Sequence, residues 1–412
     1  MSNTKSSPKN LNGLLVAACV SLFGLMGTAQ SSAAPITASD TAFDDPNAFE
    51  LWDGGFAATQ KKFAADAITD NARVTPAAAL AAASNAPASK SPPTAAAATV
   101  ATLADIAGSQ IINWTFNLDN LLQRVGEVRL ENLASNNGGD LHYNGNLWAR
   151  AYGNRVNAAG TLAGSAFHEY TYGASIGADK TLVQGPDGTA LIGLIGDFSK
   201  TNRAFNNGGD GSTRNAGIGL YATLLCREGW FADIAGRIDT LDTKFTTAAS
   251  NGSPAISGDY TTNMETISLE AGRVFMRDDG WWLETSLQAA LAWAGAGSCH
   301  TTPDTQQLRV KLDGGRDLQY RAMIRFGRRI GGSCWYPYAK IAVAKVDTEG
   351  GAVHVGDTFA ITPDYSGPRA EFGLGAACCI AEFNQIYFDY TYSTALNYNS
   401  PWSANLGYRL LW

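Results

Sequence analysis

Past Gly145 the chain alternates apolar and polar residues with a period of two. The clearest stretch is residues 281–293. Trp281, Leu283, Thr285, Leu287, Ala289, Leu291 and Trp293 fall on one side, and Trp282, Glu284, Ser286, Gln288, Ala290 and Ala292 on the other. One face is apolar with an indole at each end and the other is polar or small, the signature of a strand. The steps between the two indoles, at about 3.4 Å each, add up to about 41 Å along the strand. Tilted, that slightly exceeds the roughly 25 Å apolar band of a membrane barrel, so both indoles would sit at the interfaces. Residues 230–238, 320–326 and 386–392 repeat the pattern, setting Asp233, Arg237, Asp239, Arg321, Arg325, Asp389 and Thr391 opposite aromatic and aliphatic faces. Charges inside such strands are tolerable only toward a polar lumen.

Twelve segments of this kind lie near 145–158, 167–181, 188–201, 213–226, 229–246, 259–276, 280–294, 317–330, 333–347, 367–380, 384–396 and 401–412. The connections after the even-numbered segments are short (LVQGPDG, REG, RDDG, GGS, AEFN). Those after the third, fifth, seventh and ninth are longer and polar, including NNGGDG, SNGSPAISG and the stretches near 295–316 and 348–366. Short periplasmic turns, long outer loops and an even strand count predict an all-β fold, a twelve-stranded antiparallel transmembrane barrel over 145–412. The first strand then starts, and the last ends, in the periplasm.

Before residue 145 the period is different. Leu103, Ile106, Ile111, Trp114, Leu118, Leu121, Leu122, Val125, Val128 and Leu130 recur at roughly helical spacing. A helix is predicted over 102–133, most plainly from Asn117 onward, within a segment 101–135 that Asn136-Asn137-Gly138-Gly139 ends. Residues 76–100 are Ala, Pro, Ser and Thr with Lys90 as the one charge, a linker composition. With residues 30–75 they make a short segment 30–100 ahead of the helix. Residues 1–29 read as an export signal. Lys5 and Lys9 flank an apolar core at 11–26, and Gly27-Thr28-Ala29 supplies small residues before a cut at Gln30. A lipoprotein signal ending at Cys19 and a short buried helix are the competing readings.

Composition narrows the function. A net charge of -7 excludes the basic face that nucleic acid requires. No apolar run reaches 18 residues, so no transmembrane helix is expected, which leaves a barrel untouched. The histidines, His142, His168, His300 and His354, form no metal motif, and GxSxG is absent. No enzyme, cofactor or metal is expected. His300 and Asp304 share an outer loop, the one arrangement from which a barrel-rim hydrolase could be built; a solvated loop is the plainer reading. Beyond Cys19 the cysteines are Cys226, Cys299, Cys334, Cys378 and Cys379. Cys334 and Cys379 end neighbouring antiparallel strands at one rim, a candidate disulfide in an oxidising compartment, with small apolar fillers as the alternative.

The stretch NLDNLLQRVGEVR, a Gly-rich joint, then LWARAYG, followed by YGASIGADK, GLYATLLCREGWFADIAGRID and WWLETSLQAAL, resembles the β-domain of autotransporters, the translocators of type V secretion, over about residues 115–412. The resemblance implies a helix threading the pore, with Arg124, Glu127 and Arg129 meeting lumen groups and Trp148, Arg150 and Tyr152 lining the first strand's inner face. It implies an outer-membrane protein that inserts in lipid and exports or displays its short N-terminal passenger at the cell surface. A porin-like or structural barrel plugged by its helix is the alternative. The last residues, with Asn405, Gly407, Tyr408, Leu410 and Trp412, resemble the terminal signal read by the barrel-assembly machinery, and passage through the periplasm implies chaperones there. Some members cut themselves between two asparagines in the helix. The matching positions are Asp119 and Asn120, and a carboxylate is a poor nucleophile in place of the amide.

Overall fold

The computed structural model describes residues 94–135, 145–159, 166–185, 187–206, 208–247, 255–303, 307–330, 335–356, 359–381 and 384–411. One helix, α1 (Thr94–Ser135), precedes the strands. It begins earlier than the periodicity suggests, because the run TAAAATVA lacks apolar spacing yet consists of strong helix formers.

The barrel strands are β1 (Gly145–Ala158), β2 (Phe167–Gly185), β3 (Gly188–Phe205), β4 (Gly209–Cys226), β5 (Trp230–Thr247), β6 (Ser257–Met276) and β7 (Trp281–Ala294). After two short strands, β8 (Gly297–His300) and β9 (Arg309–Leu312), the wall resumes with β10 (Gly315–Arg328) and β11 (Trp335–Gly350). Two more short strands, β12 (Val353–Val355) and β13 (Phe359–Ile361), precede β14 (Gly367–Ala381), β15 (Asn384–Ala395) and β16 (Tyr398–Leu411). The twelve long strands close into an antiparallel barrel in chain order, with β16 returning to pair β1, Asn146 opposite Leu411. Each sequence segment finds its strand. Several strands run further than the alternation showed. The stretch NNGGDG is largely absorbed into β4, leaving a tight turn where Gly208 and Gly209 adopt φ of +87° and +93°.

Side-chain distribution is inverted relative to a soluble protein. Ile176 and Ile218 are 67% exposed on the outer wall, while Glu169, Asp233, Arg237, Glu284, Arg321 and Arg369 are buried inside. The apolar face is solvated by lipid and the polar face lines the lumen, so the alternation fixes the register of every strand.

Aromatic side chains are set against glycines across the wall. Tyr152 lies opposite Gly173, Trp148 opposite Gly177, Tyr221 opposite Gly193 and Tyr338 opposite Gly375. A Cβ on Gly193 would stand 2.1 Å from the Tyr221 ring. The inward ring lies flat over the neighbouring strand where no side chain obstructs it, and register is pinned by the pair.

Candidate functional site: the helix-filled lumen

The helix occupies the lumen and is held at three levels. At the short-turn end, Arg129 donates to Asp233 and, at 2.9 Å, to Glu284, with Glu270 at 3.6 Å. Glu284 also takes Arg325 at 2.6 Å, and Arg325 donates to the Gly126 carbonyl at 3.1 Å. The Arg129 guanidinium lies 3.9 Å from the Phe231 ring centroid. Glu127 accepts from Arg150 at 2.5 Å on the opposite side.

At mid-height, Thr115 accepts from Arg369 at 2.8 Å. Asp119 faces Arg369 at 3.4 Å and Arg321 at 3.8 Å. Both arginines also hold Glu371, at 2.6 and 2.7 Å. Nearer the long-loop end, Glu169 accepts from Ser109 at 2.5 Å and from Asn113 at 3.2 Å, while Arg203 reaches the same carboxylate at 3.2 Å. Each buried charge is thereby met by an opposite charge or a hydrogen bond. Isolated ions would cost several kcal/mol each in this environment.

The long loops form a structure that the sequence does not announce. β8, β9, β12 and β13 make a four-stranded antiparallel sheet in the order β13-β12-β9-β8, so the loops before β10 and before β14 zip together through β9 and β12. Val310, Leu312, Val353, Val355 and Tyr365 bury against Leu103 and Ile106 of the helix in one apolar cluster. Tyr365 fits so closely over Gly108 that a Cβ there would meet its ring at 1.9 Å. On the solvent side Asp313 binds His354 at 2.8 Å and Lys311 at 2.7 Å. Hydrogen bonds from Lys311 and His354 hold the Asp313 carboxyl below the usual carboxylate range, so it stays ionised well into acid. The sheet is a lid over the outer mouth. Between helix and wall, a cavity near Asp119 and Lys340 of about 40 Å³ leaves room for only a few waters.

The residues singled out from the sequence fall as follows. Glu127, Arg129 and Arg150 meet in ion pairs with or beside the helix. Trp148 joins Val128 in an apolar cluster and donates its indole N–H to Tyr221 at 3.1 Å. Tyr152 turns away from the helix and donates to Asp197 at 2.9 Å. In β16, Tyr408 and Leu410 face outward, Asn405 is buried, and Gly407 lies opposite Tyr387. The side chains of Arg124 and Asn120, and all of Cys334, Asp304, His142 and Trp412, lie outside the described residues. Cys378 pairs with Trp335 in register, and Cys379 Sγ accepts from Gln385 at 3.2 Å. Among the wall partners of the helix, Asp233, Glu284 and Arg321 are legible as lumen-facing, Glu270 and Arg369 are not singled out by the alternation, and nothing in one sequence assigns any of them to Arg129 or Asp119.

The family description "Autotransporter beta-domain" matches residues 147–391, nearly the whole barrel wall. This chain belongs to the autotransporter β-domain family. The pertactin autotransporter of Bordetella parapertussis is 32% identical over 302 residues, which are 73% of this chain and 31% of that protein. The BrkA autotransporter of Bordetella pertussis is 28% identical over 290 residues, 70% of this chain and 27% of that protein. The chain spans about a third of the length of these curated relatives. Among solved structures, the β-domain of the Bordetella autotransporter BrkA superposes with a TM-score of 0.54 at 25% identity, covering 65% of this chain and 99% of that one. The translocator domain of NalP from Neisseria meningitidis gives 0.54 at 12% identity, covering 76% and 99%, a likeness of fold. This autotransporter β-domain is a translocator of the outer membrane, and its apolar outer wall contacts lipid.

Proposed function

We propose that this barrel carries the segment of residues 30–100 to the cell surface after removal of the signal at 1–29, and keeps the helix of 101–135 in its pore as the tether. The supporting observation is the polarity of α1. Its N-terminal part contacts Glu169 and the lid at the long-loop end, and Arg129 contacts the short-turn end. A chain entering the helix from its N-terminus therefore comes from the outside. The passenger's role is display rather than catalysis in this reading. The terminal residues Asn405, Gly407, Tyr408, Leu410 and Trp412 serve insertion by the assembly machinery, after chaperoned passage through the periplasm. A Cys334–Cys379 disulfide belongs to the same proposal; five free thiols in denatured, unreduced protein lacking its signal would rule it out.

Surface proteolysis of intact cells tests display. An epitope placed within residues 30–100 should be lost to external protease while the barrel band remains. An epitope that stays protected while the outer loops are cut would leave the porin-like reading in its place. Against that reading stands the occupied lumen, where the helix is held by ion pairs, hydrogen bonds and an apolar cluster with the lid.

A further inference from the structure

The outer wall changes character along one arc, β5 to β10, at the short-turn end. On β6 the lipid-facing residues Ile267 and Leu269 give way to Arg273, and on β10 Ile324 and Phe326 give way to Arg328. Both arginines share their wall face with exposed apolar side chains, which continue past them as Phe275 and Ile330, so they stand within the periplasmic end of the apolar face. Each lies against an aromatic. The Arg273 guanidinium is 5.0 Å from the Trp230 ring centroid and 4.8 Å from that of Phe275. Arg328 is 5.1 Å from Trp281, which itself stacks on Phe326 at 4.8 Å. A guanidinium held face-on to a ring keeps its N–H edge open for an acceptor.

Arg273 spends one N–H on the Glu228 carbonyl at 3.3 Å. Among the described residues, no carboxylate lies within 4.0 Å of Arg273 or Arg328. The charged neighbours on the adjoining turns are Arg227, Arg277 and Arg329 with Glu228, Asp278 and Asp279, and Arg277 is paired with Asp279 at 3.5 Å. Cations exceed anions along this rim. The buried Arg129, Arg237, Arg321, Arg325 and Arg369 each meet a carboxylate, so a pair without one at the periplasmic end of the wall points to an acceptor supplied by the membrane.

We propose that Arg273 and Arg328, each braced by its indole, are seats for the phosphate groups of anionic phospholipids in the periplasmic leaflet. The aromatic shelf of Trp230, Phe275, Trp281 and Phe326 accepts the glycerol and upper acyl region. The guanidinium edge donates to the phosphate oxygens. The excess of arginine over carboxylate favours a lipid of net negative charge over a zwitterionic one that shares the same phosphate.

The test uses the full chain in nanodiscs containing equal amounts of phosphatidylglycerol and phosphatidylcholine, with the lipids retained on release counted by native mass spectrometry. Phosphatidylglycerol should be retained several-fold over phosphatidylcholine by the parent protein. Retention should fall to parity in Arg273→Gln/Arg328→Gln and stay at the parental level in Arg155→Gln, which removes an arginine stacked on Tyr170 instead. Parity in the parent protein overturns the proposal whatever the variants do. Undiminished enrichment in a folded double variant overturns it as well. Excess inorganic phosphate should leave the lipid in place; if it strips the lipid, the seats take the free ion and the lipid assignment falls.

Discussion

Among the described side chains of the helix, Arg129 meets the most opposite charge, with three carboxylates within 4.0 Å. Replacing it with Met leaves Asp233 and Glu270 buried without that cation and Glu284 with Arg325 as its remaining partner. Breaking a buried network from one side typically costs about 3–5 kcal/mol. Arg129→Met should therefore lower the urea midpoint at which the unboiled, fast-migrating barrel band disappears in gel electrophoresis. Arg277→Ala removes an exposed pair with Asp279 and should shift that midpoint by less than about 1 kcal/mol equivalent. A larger effect at Arg277 than at Arg129 would contradict the assignment. Gly193 offers a second residue-scale test. A valine there must displace the Tyr221 ring, which also donates to Asp179 at 2.7 Å. Overpacking of this kind costs about 1–3 kcal/mol, read on the same gel. Alternation places Trp148, Arg150 and Tyr152 on the inner face without a structure. The partner of Tyr152 is different. Asp197 sits on β3, two strands away, and Tyr152 reaches it by leaning over Gly173. That contact depends on a missing side chain in the intervening strand, which no pattern within β1 reports.

Long strands declare themselves because each samples lipid and water in turn over many residues. The lid strands do not. β12 is Val-His-Val and β8 is Gly-Ser-Cys-His, too short for a period to register, and their pairing joins two loops separated by β10 and β11. The lid's reliance on the helix is testable through the Gly108–Tyr365 contact. Gly108→Val should force the ring away, exposing the loops before β10 and β14 to protease that the parent resists. Tyr365→Ala in the same chain should restore part of the protection by opening space for the new side chain. Protection unchanged in Gly108→Val would show that the lid stands without the helix.

The twelve wall strands form a closed ring whose interior the helix occupies. Reconstituted into planar bilayers, the full-length protein should show no sustained steps of the size an empty twelve-stranded pore would give. Persistent large steps would mean that helix and lid leave the lumen as a population. Closure of the ring also carries a consequence for biogenesis. β1 finds its second neighbour only in β16, the last of the wall strands in chain order, so no portion of the wall can be finished ahead of the remainder. Until the carboxyl-terminal strand arrives, β1 presents an open hydrogen-bonding edge and a lipophilic surface to water, the combination most prone to aggregation.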